Sequence, residues 1–261
     1  MAEIIIRGSS SSIFRNGEFQ SDSDTGCPRR SYLRHLNIQE VPNAFTLQIF
    51  EIGFAFERYY SQFIPDAKFD VEVKVGNFTG HADAVDANFV YETKSCTSKN
   101  TYSQIYKKNT PKSAHLVQLV GYMIALERQA GKLVYGSYVT KQVDYAKLKK
   151  MPPSMIPALM AGIVPEIKEF IVTISDDGFV HVDGQPYEGL HVREFLDYQE
   201  ELTALIAEDV LPPRVEALKP DAWSDPCKFC KLAMLCDSSP VSLEDFAADA
   251  ADVFAGLAEE I

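Results

Sequence analysis

The sequence predicts an α/β protein, and three patterns in its first 140 residues support this fold class. Residues 42–63 are apolar almost all round, which indicates a helix buried on most sides. Residues 69–75 alternate between polar and apolar side chains, and two more short strands follow over residues 80–86 and 89–95. A helical pattern over residues 113–129 and a strand pattern over 133–140 complete the order helix, three strands, helix, strand.

The second half of the chain has weaker patterns. They predict a helix over residues 154–170, a hairpin near residues 176–178 and a long acidic helix over residues 192–210 that Pro212 and Pro213 end. Residues 242–261 contain six acidic side chains and no basic one, which is typical of an amphipathic helix or a disordered tail. We therefore expect one domain over residues 1–241 and an acidic tail over 242–261.

The composition describes a soluble globular protein, because 46% of the 261 residues are hydrophobic and 24% are charged. A membrane span would need about 18 consecutive apolar residues, and no such run exists. The first residues lack the basic and apolar regions of a secretory signal, so the expected location is the cytoplasm. Thiols stay reduced there, so the five cysteines are better explained as metal ligands than as disulfides.

The charge is unevenly distributed along the chain. The net charge of −12 divides into −5 over residues 1–92, +9 over 93–150 and −16 over 151–261. Charges more than about 10 Å apart are largely screened at physiological salt, so the basic middle can bind a polyanion although the whole chain is acidic. A solvated lysine face is the alternative explanation of the same pattern.

The predicted hairpin places two carboxylates face to face. With a two-residue turn at Ala87 and Asn88, Asp83 lies directly opposite Glu92, and Lys94 shares the face of Glu92. Two carboxylates about 4 Å apart repel by roughly 4 kcal/mol at an effective dielectric constant of about 20. A stable fold would expose the pair or place a cation between them, and oxygen ligands suit Mg²⁺ or Mn²⁺. An exposed hairpin with scattered charges is the alternative.

Four motifs together resemble the RecB type of PD-(D/E)xK nucleases. Their residues in this chain are Gly80-His81-Ala82-Asp83, Glu92-Thr93-Lys94, Gln118 with Tyr122, and Gly53 with Glu57 four residues later. The order and spacing match the family series G-x-x-D, E-x-K and Q-x-x-x-Y, preceded by a first-helix motif. The resemblance implies a restriction-endonuclease-like α/β core with a central mixed sheet flanked by helices.

The same resemblance implies a role for each motif residue. Asp83 and Glu92, with the backbone carbonyl of Thr93, would hold one or two Mg²⁺ or Mn²⁺ ions, and Glu57 would bind the second ion or orient a water. Lys94 would position the attacking water. On the helix that begins at residue 113, His115, Gln118 and Tyr122 form one stripe. There the family uses the Gln to orient a phosphate or the lysine, and the Tyr to contact nucleic acid. A glycine at Gly53 would let the first helix approach the sheet.

A basic and aromatic segment precedes that helix. It could track the phosphates of a single strand while its rings stack on bases, and a solvated loop is the equal alternative. The candidate DNA-binding residues are Tyr102, Tyr106, Lys107, Lys108 and Lys112.

Four of the cysteines form a second group of candidate ligands. Cys227, Cys230 and Cys236 lie near one end of the chain and Cys27 near the other. This spacing is similar to the split signature of iron-sulfur RecB-like nucleases, such as the small nuclease of CRISPR adaptation modules. The resemblance implies a 4Fe-4S cluster that staples the two ends, and a zinc ion with the same four ligands is the alternative. Cys96 is expected to be a packing residue.

The resemblance implies a metal-dependent DNA exonuclease acting on single strands or duplex ends, in recombination, viral replication or CRISPR-type DNA processing. A DNA-end-binding or assembly subunit that uses the fold for interaction is the main alternative, and a zinc-stapled scaffold without a DNA role is a third. The sequence has no P-loop motif, so duplex unwinding would need a partner. The acidic tail could cover the basic region, bind a partner protein or do neither.

Overall fold

The computed structural model describes residues 44–75, 78–139, 150–208 and 210–212, together with Arg29 and Tyr32. Within these ranges, seven strands lie side by side in chain order in one sheet. They are β1 (Lys68–Val75), β2 (Phe78–Val85), β3 (Val90–Cys96), β4 (Ala130–Ser137), β5 (Glu166–Ile174), β6 (Phe179–Val182) and β7 (Gln185–His191). The helices are α1 (Ala44–Tyr60), α2 (Lys99–Tyr102), α3 (Ser113–Ala125), α4 (Ile156–Met160) and α5 (Val192–Ala207).

The sheet is mixed, as the resemblance implied. Strands β3 and β4 are parallel, whereas every other neighbouring pair is antiparallel. Parallel neighbours need a crossover, and the segment that contains α2, a π-helical turn (Ser103–Lys107) and α3 supplies it. None of the described helices is both long and apolar enough to cross a membrane.

Helices cover both faces of the sheet and bury two separate apolar clusters. Residues of α3 and α5, such as Leu119 and Phe195, pack against one face, and residues of α1 and α4, such as Phe56 and Ile156, pack against the other. Strand β4 contributes to both clusters because neighbouring side chains on a strand point to opposite faces. The sheet is therefore the middle layer of three.

Strand β2 changes face at the position of Asp83. Ala82 belongs to the cluster beneath α3, whereas Ala84, two residues later, belongs to the cluster beneath α1. In a regular strand these two residues would share a face. The neighbouring strand is irregular at the same level: Asp70, whose place in the register is opposite Asp83, has a left-handed φ of 52°. The side chain of Asp83 thus leaves the sheet at a local distortion.

The first half of the chain follows the predictions closely, with shifts of a few residues at several boundaries. Helix α3 ends at residue 125 rather than 129, because Glu127 has a φ of 53° and reverses the chain. Strand β4 begins at residue 130 rather than 133, because its ladder with β3 already includes Gly131.

The predicted helix over residues 154–170 is wrong over most of its length. Only residues 153–160 are helical, and Glu166–Ile174 forms β5. Phe170 and Val172 are buried with the exposed Ile171 between them, which is the two-residue period of a strand pairing with β4. The hairpin near residue 178 is confirmed, with Gly178 at a φ of 88°, and the acidic helix is confirmed as α5.

Candidate active site

The hairpin between β2 and β3 has the predicted register. The Asp86 N–H donates a hydrogen bond to Phe89 O at 3.0 Å, so two residues form the turn. Asp86 Oδ1 also accepts from the Phe89 N–H at 2.7 Å, which stabilises this turn. The ladder consists of Ala84 with Tyr91 and Val85 with Val90, and the next pair in this register would be Asp83 with Glu92.

Strands β2 and β3 separate at that next pair, and Asp83 bridges the gap with its side chain. Asp83 Oδ2 accepts hydrogen bonds from the Thr93 N–H at 2.6 Å and from Thr93 Oγ1 at 2.7 Å. The carboxylate therefore takes the backbone donor that a continuing ladder would have used. Because an unsatisfied buried N–H is costly, this arrangement stabilises the split between the strands.

Glu92 is fully buried and contacts Lys94. Its side chain has 0% exposure, and that of Lys94 has 13%. The ammonium of Lys94 contacts Glu92 Oε1. Within the described residues, Glu92 Oε2 accepts no hydrogen bond. A buried carboxylate oxygen without a donor is costly, so this atom is suited to receive a cation or a further donor.

Glu57 approaches the same carboxylates from helix α1. Burial and, next, the negative charge of Asp83 raise its pKa to about 8, against the opposing effect of Lys94. Burial and Asp83 likewise raise the pKa of Glu92 well above its usual value. The pKa of Asp83 is also raised, chiefly by burial, although Lys94 and the Thr93 hydrogen bonds oppose the shift. The three predicted carboxylates thus lie close enough for Asp83 to raise the pKa of the other two.

Lys94 is the cation that partly compensates these charges. Burial alone would lower its pKa, but the carboxylates of Glu92 and Asp83 have the larger combined effect and raise it. The ammonium therefore remains charged at neutral pH. It can attract an anion such as a phosphate, or it can hold Glu92, as it does in this structure.

The donor set suits a hard divalent cation, although it is not arranged as a finished site. Among the described residues, no three His, Cys, Asp or Glu side chains converge closely enough to hold a metal ion. Two of the carboxylates are already engaged, Glu92 by Lys94 and Asp83 by Thr93. The donorless, buried Glu92 Oε2 and the raised carboxylate pKa values nevertheless fit Mg²⁺ or Mn²⁺, which prefer oxygen ligands.

Gly53 does not explain how closely α1 packs on the sheet, contrary to the expectation. A β-carbon at Gly53 would meet Ser95 Oγ at 4.0 Å, which is an ordinary contact. The close approach occurs instead at Gly136 of β4, where a β-carbon would lie 2.1 Å from the Phe56 ring. Phe56 immediately precedes Glu57, so this contact sets the height of Glu57 above the sheet.

Gln118 and Tyr122 lie beneath the site and not on its surface. Gln118 Nε2 donates to the Tyr122 hydroxyl at 2.7 Å, and both residues are 1% exposed. The Tyr122 ring lies against Gly80 of β2. The implied contact of Tyr122 with nucleic acid stays a prediction, and it would require the ring, which is buried in this structure, to become accessible. Its position indicates that it supports the strand that carries Asp83.

The candidate DNA-binding residues have different surroundings. Lys107 and Lys108 are exposed, but burial lowers the pKa of the partly buried Lys112. The rings of Tyr102 and Tyr106 stack on each other with centroids 4.7 Å apart. The Tyr106 hydroxyl donates to backbone carbonyls of β4 and β5, so Tyr106 anchors this segment to the sheet. Of the five candidates, only Lys107 and Lys108 are exposed and can follow a phosphate backbone as the sequence predicted.

Two features near the site were not predicted from the sequence: the role of the Thr93 hydroxyl and the presence of Asp70. The hydroxyl of Thr93 holds Asp83, although only the backbone carbonyl of Thr93 was expected to take part. Asp70 raises the pKa of both Glu57 and Asp83, and its Oδ1 lies 2.9 Å from His81 Nδ1. A positive φ at a strand residue leaves no signal in a sequence, so the role of Asp70 could not be predicted from the sequence.

The cysteine predictions divide between the described residues and the rest of the chain. Cys96 is a free, fully buried thiol, which confirms its packing role. The four candidate cluster ligands, Cys27, Cys227, Cys230 and Cys236, lie outside the described residues, as does the acidic tail over 242–261.

Strands β2 and β3 of the mixed sheet separate at the buried Asp83 and Glu92. Lys94 lies two residues after Glu92, and Glu57 approaches from helix α1. This arrangement defines a nuclease-type α/β fold. The family model of the PD-(D/E)XK nuclease superfamily matches residues 25–237 of this chain. The chain belongs to this superfamily, and it is therefore a member of a family of nucleases that hydrolyse phosphodiester bonds.

Solved structures distantly similar to this chain include an alkaline exonuclease and the protein SSO0001. An alkaline exonuclease from Laribacter hongkongensis (LHK-Exo) is 12% identical with a TM-score of 0.39, and the match covers 70% of this chain and 76% of that one. The protein SSO0001 is 15% identical with a TM-score of 0.33, and the match covers 80% of this chain and 94% of that one. A search of curated proteins gave no significant match.

Proposed function

We propose that this protein is a Mg²⁺- or Mn²⁺-dependent deoxyribonuclease that hydrolyses phosphodiester bonds of DNA. The observation that carries the proposal is the meeting of Glu57, Asp83 and Glu92 with Lys94 where β2 and β3 separate. Membership of the nuclease superfamily supports it. As the sequence implied, Asp83, Glu92 and the Thr93 carbonyl would hold the cation, with Glu57 binding a second one or orienting a water.

The side chains of the site divide the chemical work among them. A bound divalent ion would polarise a phosphate oxygen and lower the pKa of a water molecule. Thr93 holds Asp83 in place through two hydrogen bonds, so that one oxygen of this carboxylate stays oriented. Once released from Glu92, the Lys94 ammonium can position the attacking water and offset the phosphate charge. The ionised Glu57 can accept a proton, because its raised pKa lies near neutrality.

We further propose that the enzyme acts as an exonuclease on single strands or on duplex ends. The exposed Lys107 and Lys108 and the stacked Tyr102 form a basic and aromatic segment between β3 and α3. Such a segment can follow a single strand without reading its sequence. Recombination, viral replication and CRISPR-type DNA processing all require this activity.

The test is cleavage of end-labelled single-stranded and blunt-ended linear DNA, and of internally labelled circular DNA, by the purified protein, with Mg²⁺, with Mn²⁺ and with EDTA. We expect cation-dependent cleavage of the two linear substrates and none in EDTA. Glu92→Gln and Lys94→Met should each reduce the rate at least 100-fold, because they remove a ligand and the cation that positions the water. Cation-independent cleavage would contradict the proposal, and binding without cleavage would favour the alternative of a DNA-end-binding subunit.

We also propose that Cys27, Cys227, Cys230 and Cys236 hold a 4Fe-4S cluster that joins the two ends of the domain. In support, Arg29 Nε donates to Pro212 O at 2.9 Å, which brings the chain just after Cys27 close to the segment that leads to the other three cysteines. Anaerobically purified protein should be brown and contain four irons, and Cys27→Ala should be colourless. A colourless wild-type protein with one zinc would support the zinc alternative.

A further inference from the structure

His115 of α3 has a defined hydrogen-bond partner next to the site. Its Nδ1 lies 3.0 Å from the hydroxyl of Tyr135 on β4, and the same hydroxyl accepts a hydrogen bond from the Lys112 N–H at 3.1 Å. Tyr135 is fully buried, whereas His115 is partly exposed. The imidazole is thus anchored from the core and open to solvent on part of its surface.

These contacts determine which ring nitrogen carries the proton. The Tyr135 hydroxyl has one hydrogen to donate, and the Lys112 N–H is itself a donor and cannot receive it. Among the described residues, His115 Nδ1 is the acceptor within reach, and a buried hydroxyl rarely leaves its hydrogen without one. His115 therefore has its hydrogen on Nε2, which is left as a donor without a partner among the described side chains.

His115 lies close to Lys94 of the nuclease site. Tyr135 is the register partner of Lys94 in the parallel β3–β4 ladder, so the Tyr135–His115 pair lies beside that lysine. Burial lowers the pKa of His115, and the nearby charges of Lys94 and Lys112 lower it further. The imidazole is therefore neutral at physiological pH and acts as a hydrogen-bond donor without a charge.

We propose that His115 is a substrate-positioning residue whose Nε2–H donates to a non-bridging phosphate oxygen of the bound DNA strand, while Tyr135 fixes its orientation. The inference rests on the proposed deoxyribonuclease function. His115 would give the phosphate group beside Lys94 an uncharged contact from the face of α3. A neutral donor contributes orientation at little electrostatic cost, since the neighbouring lysines already supply positive charge.

The experiment compares two variants that separate the two ring nitrogens. His115→Asn keeps an acceptor near Nδ1 for Tyr135 but lacks a donor at Nε2, whereas His115→Gln keeps a donor near Nε2. Affinity for a single-stranded oligonucleotide is measured with Ca²⁺ in place of Mg²⁺, and folding is verified by thermal unfolding. We expect about tenfold weaker binding for His115→Asn, as for the loss of one hydrogen bond to a charged group, and less than threefold for His115→Gln.

A scan of oligonucleotides with a single methylphosphonate identifies the phosphate. At the contacted position the neutral linkage should weaken binding more in the wild type than in His115→Asn, because only the wild type also loses the histidine contact. For a merely structural histidine, the linkage would weaken binding of both proteins equally. His181→Asn, on β6, is the control and should bind as wild type. If wild type cuts DNA and folded His115→Asn binds it equally well, this inference is wrong and the proposed function stands. If wild type neither binds nor cuts DNA, both are wrong.

Discussion

Gly80 of β2 and Tyr122 of α3 are in such close contact that a β-carbon on Gly80 would lie 2.7 Å from Tyr122 Cε1 and 3.0 Å from its hydroxyl oxygen. Real β-carbons do not approach other atoms this closely, so the contact requires glycine. Because Gly80 lies three residues before Asp83, the contact also fixes how deep the carboxylate-bearing strand sits on the helix. The motif glycine and the motif tyrosine are therefore complementary parts of one packing contact.

Gly80→Ala should destabilise the protein by about 1–3 kcal/mol, because the buried Tyr122 ring has no space to move into. For a chain of this size, this corresponds to a fall in Tm of several degrees. Gly162→Ala is the matched control, since no atom lies within 4 Å of a β-carbon at that position. Equal Tm values for the two variants in thermal unfolding would contradict the packing role of Gly80.

Thr93→Val should slow DNA cleavage by about tenfold, because the variant loses the 2.7 Å hydrogen bond from the hydroxyl to Asp83 while it keeps the backbone one. Thr93→Ser retains a hydroxyl and should cleave at close to the wild-type rate. The measurement is the single-turnover rate with saturating Mg²⁺. A valine variant as fast as the serine variant would mean that the backbone hydrogen bond alone orients Asp83.

Adding Mg²⁺ or Mn²⁺ should raise the Tm of the wild-type protein, because a ligand that binds only the folded state stabilises it by about 2.7 kcal/mol at 100 times its Kd. Asp83→Asn and Glu92→Gln should fold without added metal, since each change removes one of two repelling carboxylates. Neither variant should gain Tm from the metal. Glu72→Gln, an exposed acid of β1, is the control and should keep the full increase. A metal-induced Tm increase in Glu92→Gln equal to that of wild type would place the cation elsewhere.

His115 should make the protein less stable as the pH falls below about 6.5. Its pKa is lowered in the folded state by burial, Lys94 and Lys112, so between the two pKa values the unfolded chain binds a proton that the folded one does not. This contribution to stability is complete above the unfolded pKa and is lost as the pH decreases. From pH 7.5 to 5.5, the Tm of wild type should fall by a few degrees more than that of His115→Gln, for a difference on the order of 1 kcal/mol. Parallel pH profiles would show that the pKa of His115 is the same in the folded and the unfolded protein.

Short-range patterns in the sequence were sufficient for the elements that carry the site. The apolar run of α1, the alternation of β1 and the turn at Asp86 each depend on neighbouring residues, and their predicted positions agree with the structure. The register of Asp83 opposite Glu92 follows from the length of the turn alone. The helix predicted over residues 154–170 was wrong, because β5 is stabilised by pairing with β4, which is distant in sequence.

The sequence by itself determined the inventory of the site: the three carboxylates, the lysine two residues after Glu92, and the family to which their spacing belongs. Only the tertiary structure decided how these groups are arranged. Three features depend on contacts between separate elements: the change of face of β2 at Asp83, the Thr93 hydroxyl that holds Asp83, and the burial of Tyr122 against Gly80. The same is true of His115, whose protonated nitrogen is set by Tyr135 from a different layer of the fold. Periodicity records which face a residue occupies, whereas contacts across layers depend on the shapes that meet there, and these are known only once the chain has folded.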